Sequence, residues 1–100
     1  MILGTYTFNN NSGTTSQVEV AITKYLNIST QNALIGNNGN YAFFSVCLPE
    51  EKQEENEVFI KDYSENSGLM VQLIKHNIIS APKRIIERKY TNIYVCELLK

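Results

Sequence analysis

Residues 57–80 read EVFIKDYSENSGLMVQLIKHNIIS, and this stretch constrains the fold more than any other. Val58, Phe59 and Ile60 are β-favouring residues in a short run. Asp62 follows, with Glu65 three positions later. That spacing matches a capping box. The first acid accepts from a free N–H of the opening helical turn, and the second reaches back to the N-cap N–H. Ser64 is a rival N-cap. Leu69, Met70, Leu73 and Ile74 then recur at helical spacing as one apolar stripe. Asn77 is a candidate left-handed stop, with Ile78 folding back on the last turn. A helix over about 62–76 is expected. Gly68 then falls inside it at a cost of roughly 1 kcal/mol against Ala, which implies a close approach of helix to sheet.

The rest of the chain reads as strands. Residues 2–8 alternate in polarity, and so do residues 17–26. In the second segment Val18, Val20 and Ile22 point one way, while Glu19, Ala21, Thr23 and Tyr25 point the other. One buried and one solvated face suit an antiparallel sheet. Residues 33–35 and 41–48 flank Gly36-Asn37-Asn38-Gly39, a strong hairpin signal. The return segment, YAFFSVCL, is apolar at nearly every position and is expected to be a central strand, covered at least partly on both faces. Pro49 ends it, because proline has no N–H to give a ladder. Residues 83–87 and 93–99 supply the closing strands. The expectation is a single α+β domain over residues 1–100. Its core is one twisted antiparallel sheet of about five to seven strands, with the lone helix packed on one face.

The chain has no apolar run near the ~20 residues that a membrane span requires. Its N-terminus lacks the basic n-region of a secretory signal, so a cytoplasmic protein is expected. Cys47 and Cys96 lie in strand-like runs and are expected to be free thiols acting as small hydrophobes, paired only if their strands are neighbours. There is no CxxC and only one histidine, His76, so no metal site and no cofactor are expected. Signatures of phosphate-binding loops, dinucleotide folds, zinc proteases and serine hydrolases are missing. His76 paired with a cysteine would be the catalytic reading. Its place in the last turn of a helix, where a cation is stabilised, is the plainer one. Asp62 and Glu65 as a carboxylate pair are likewise covered by capping. A non-catalytic protein is expected.

The net charge is only −1, but its distribution is uneven. Glu50, Glu51, Glu54, Glu55 and Glu57 crowd one segment, relieved by Lys52. The plainer reading is a solvated connection. The functional one is mimicry of nucleic-acid phosphate, with Tyr63 beside the carboxylates, against a basic groove on a partner. Lys83, Arg84, Arg88 and Lys89 crowd a second segment. They read plainly as edge protection. Functionally they would grip phosphates while Tyr90 or Tyr94 stacks on a base. The six tyrosines suit interfaces, and pairing of an edge strand into a homodimer is a further option.

The segments VFIKDYSENSGLMVQLIKHNIIS, NALIGNNGNYAFFSVCLPE and YTNIYVCELL give the last two-thirds of the chain a resemblance. It is similar to small accessory proteins of phages, plasmids and conjugative elements of low-GC Gram-positive bacteria. The resemblance implies a mobile-element cargo protein, a class that includes inhibitors of host defence such as anti-CRISPR proteins. It attaches no functional residues. The expected function is a protein-binding module acting through a charged surface on a larger host protein, a nuclease or nucleic-acid-binding complex. The alternatives are a nucleic-acid-binding protein using residues 83–89, or a homodimeric accessory protein.

Overall fold

The computed structural model describes residues 1–100 except Asn11, Ser64, Glu65 and Ser67. The described elements run β1 (Ile2–Asn9), β2 (Thr15–Lys24), β3 (Asn32–Asn37), β4 (Tyr41–Phe43), β5 (Glu57–Lys61), α1 (Leu69–Lys75), β6 (Arg84–Glu87) and β7 (Asn92–Glu97). The class is α+β with antiparallel pairing throughout, as expected. The strands, however, form two sheets rather than one. The larger has the order β1-β2-β3-β4 and the smaller β5-β7-β6.

The division arises where the chain leaves β4. Phe43 still pairs with Ile35. Phe44 then donates its N–H to Leu34 O at 2.8 Å while its own carbonyl accepts from Lys61 N at 3.1 Å. Ser45 bridges to Ile60, and Val46 N donates to Phe59 O at 2.9 Å. Residues 44–46 therefore pass from the edge of the larger sheet to the edge of the smaller. Ser45 makes the passage feasible. Its Oγ accepts the Leu34 N–H at 2.9 Å in place of a ladder carbonyl and shares a 2.8 Å hydrogen bond with the Tyr25 hydroxyl. A buried N–H without such a partner would cost about 1–3 kcal/mol.

The crossing corrects the expectation for residues 41–48. All three residues of β4 are exposed, so this is no central strand. The apolar run belongs to a segment that feeds two cores in turn. Phe44 enters the main core with Phe8, Val18, Val20 and Leu34 from the larger sheet, Val58, Ile60 and Cys96 from the smaller, and Leu73 of α1. Val46 and Leu48 instead cover Phe59, Ile86, Ile93 and Val95 on the other face of the smaller sheet. That sheet is covered on both sides, which is why Val58, Phe59 and Ile60 are all fully buried and read as a continuous apolar run.

The helix is shorter than expected, spanning Leu69–Lys75 rather than 62–76. Asp62 does cap it, but from a distance: its Oδ1 accepts the Met70 N–H at 3.0 Å. The capping-box spacing suggests a continuous helix from Asp62, whereas the carboxylate caps a residue eight positions further on. Glu65 and the rival Ser64 lie outside the described residues. Gly68 precedes the helix at φ +86°. Its role is thus a left-handed backbone rather than a close approach within a helix. The C-terminal expectation is met. Asn77 has φ +58°, Asn77 N donates to Ile74 O at 2.9 Å, and Ile78 N donates to Leu73 O at 3.0 Å. This is a Schellman stop with Ile78 buried behind it.

Gly36 in β3 is the tightest point beside the crossing. A Cβ built there falls inside contact distance of the Phe44 ring, 2.5 Å from Cε2. Gly36→Ala should destabilise the fold by about 2–3 kcal/mol, as overpacking does in a filled core. Urea denaturation checks this, and Gly36→Ala combined with Phe44→Leu should recover part of the loss. An unchanged midpoint for the single variant would contradict this packing.

Candidate functional site

The two charged segments meet. Arg88 Nη2 lies 2.6 Å from Glu50 Oε1 and 3.9 Å from Glu51 Oε2. Lys83 Nζ lies 2.8 Å from Glu57 Oε2 and 3.3 Å from Glu97 Oε1. Arg84 Nη2 donates to the Lys52 carbonyl at 3.1 Å. Lys52 Nζ is 3.8 Å from Glu54 Oε1. The structure thus joins residues that sequence reasoning treated as rival surfaces. Glu50, Glu54 and Glu55 remain exposed, Glu51 is half-buried, and Glu57 is turned inward. Lys89 is exposed with its ammonium 5.3 Å from the Tyr90 ring centre. Tyr63 packs against the second core, with Lys61 Nζ 5.4 Å from its ring centre.

Two buried carboxamides hold the acidic segment in place, and little in the residue pattern marks them. Gln31 Nε2 donates to the carbonyls of Leu48 and Glu51, and its Oε1 accepts from Leu48 N. Asn32 Nδ2 donates to the carbonyls of Glu55 and Glu57 at 2.8 and 2.7 Å. Both side chains belong to what reads as the end of a polar break. Their usable signal is only that they stand immediately before the apolar run of β3.

Burial raises the pKa of Glu57. The Lys83 hydrogen bond, the Glu54 N–H and the charges of Lys83 and Arg84 more than reverse this, so its carboxyl ends below the ordinary value. Lys83 is raised, first by the Glu57 hydrogen bond. Both thiols are held more protonated than an ordinary cysteine. Burial pushes Cys96 up to about 12, and burial with the Glu50 charge raises Cys47. The two cysteines are free. His76 is engaged elsewhere, with Nε2 2.8 Å from Thr7 O and its ring stacked 5.5 Å from Phe8.

A second surface was not legible in the sequence. The register aligns Ile2, Ala21, Ile35 and Phe43 side by side across all four strands of the larger sheet. They lie on the face opposite Val20, Leu34 and Phe44, which belong to the core. This outer row is open at both ends, with Ile2 64% and Phe43 58% exposed. Tyr41, on the same face of β4, is 76% exposed, and the Tyr25 ring stacks 5.8 Å from Phe43. Alternation in residues 17–26 marked this side of β2 as solvated, but only the register shows that apolar members of four strands fall in one line.

Among the described residues, no three or more His, Cys, Asp or Glu side chains are grouped so as to hold a metal ion. None of the described helices is long and apolar enough to cross a membrane. No protein-family model, curated protein or solved structure matches the chain.

The ion pair sets a pH dependence. A glutamate whose pKa is lower folded than unfolded adds stability above the ordinary value of 4.5 and loses it as pH falls through the folded value. Lys83→Met should therefore lower the thermal midpoint at pH 7. The difference from the parent should shrink once Glu57 is protonated. Calorimetry across pH 3–7 checks this, and a pH-independent difference would contradict a charge-based role.

Proposed function

We propose that this chain is a non-catalytic protein-binding module whose contact surface is the outer face of the larger sheet. The observation that carries the reading is the apolar row Ile2, Ala21, Ile35 and Phe43, flanked by Tyr25 and Tyr41. Contiguous apolar surface costs solubility unless something covers it, and aromatic residues dominate binding energy where they are covered. The raised thiol pKa values and the engagement of His76 with β1 favour binding over covalent chemistry.

The partner is a larger protein. If that protein belongs to a nucleic-acid-targeting defence system, as a mobile-element inhibitor would require, the exposed Glu54 and Glu55 supply phosphate-like charge. The nucleic-acid-binding alternative is less well supported, because Lys83 and Arg88 are already committed to carboxylates. Phosphates would have to compete for them.

Phe43→Glu tests the reading. Its side chain is exposed, so the fold should lose less than about 1 kcal/mol. In capture from a lysate of a low-GC Gram-positive host, a specific protein should be retained by the parent and lost by Phe43→Glu. It should survive Glu54→Lys combined with Glu55→Lys if the aromatic surface dominates. Retention by Phe43→Glu, or no retained protein at all, contradicts the proposal.

A further inference from the structure

On the opposite, inner face of the larger sheet, a cleft of about 500 Å³ opens between the strand ends and the start of α1. This is an ordinary size for a small-molecule site. We propose that it binds a neutral, hydroxyl-rich ligand of the saccharide class, independently of the outer protein-binding face. Among the described residues, no ionisable side chain lines it, so none of them would offset the desolvation of a charged ligand. Its apolar floor includes Phe8, Val18, Phe44 and Leu69.

Two lining carboxamides are fixed with opposite ends spare. Asn66 is only 6% exposed and donates Nδ2 to Phe43 O at 2.9 Å, while its Oδ1 has no hydrogen-bond partner among the described residues. Gln72 accepts the Asn9 N–H on Oε1 at 3.2 Å, and its Nε2 has no such partner. The cleft therefore offers an anchored acceptor and an anchored donor above an apolar floor. A hydroxyl both donates and accepts, and a sugar ring adds an apolar C–H face, so a saccharide matches all three features. A nucleobase matches less well, because Phe8 and Phe44 are only 5% and 7% exposed, and the stacking that anchors a base needs more aromatic surface than the C–H contacts of a sugar. An extended peptide matches less well too, because the face that β1, β2 and β3 present to the cleft has its backbone groups already paired.

The test uses side-chain amide signals of the ¹⁵N-labelled 100-residue chain, titrated with chitobiose, cellobiose and maltose. Uridine, acetyl-trialanine amide and glucose 6-phosphate serve as counter-probes. At least one disaccharide should shift the Asn66 and Gln72 amides saturably. Gln72→Glu keeps the acceptor for Asn9 N but removes the donor and adds charge, so it should weaken that binding by about tenfold or more. Asn66→Asp, read by the same titration, gives a second variant that keeps the acceptor. It should bind more weakly because it makes the cleft anionic. The proposal is overturned if no disaccharide shifts these signals, if only a counter-probe does, or if Gln72→Glu folds and binds as tightly as the parent.

Discussion

Three residues, 44–46, hydrogen-bond to two sheets at once, and the remaining architecture depends on that passage. Phe44 accepts from β5 and donates to β3, while Val46 donates to β5. A strand that changes sheets must satisfy backbone groups in both, or leave them buried and unpaired. Ser45 resolves this with one hydroxyl, which accepts the Leu34 N–H and meets Tyr25. Gly36 supplies the space in which the Phe44 ring sits. The crossing then delivers Phe44 to one core and Val46 to the other.

That arrangement fixes which surfaces remain for function. The smaller sheet is covered on both faces and offers little beyond the exposed β6 edge. The larger sheet packs its inner side against the smaller sheet and α1. The helix is too short to cover that side fully, and the cleft lies at its N-terminal end. On the outer side the apolar row stays open. Arg84 and Arg88, by contrast, hold the loop of residues 49–56 through the Lys52 carbonyl and Glu50. Exposed pairs of this sort contribute little individually. The Glu57–Lys83 contact, with one carboxylate buried, is the exception.

The sequence carried the local parts of this structure and missed the long-range ones. The strands were legible because alternation and β-favouring runs are local, and Asn77 was legible because a left-handed stop is written in adjacent residues. The helix start was not legible because Asp62 caps Met70 from eight positions away, a relation that a three-residue spacing cannot express. One sheet was expected instead of two because an apolar run looks the same whether it is central or passes between layers. At the candidate site, the acidic and basic segments were identifiable by composition. Their pairing joins Glu50 to Arg88 across 38 positions and was not. The outer row and the carboxamides of the cleft likewise exist only once register brings distant residues together.

If the crossing binds the sheets together, their backbone hydrogen bonds should open as a unit. Native-state hydrogen exchange tests this most directly. The amides of Leu34, Phe44, Val46 and Lys61 should exchange with the same free energy and denaturant dependence as those of β7. Exchange of Leu34 and Phe44 through a lower-energy opening that leaves β7 protected would contradict the account.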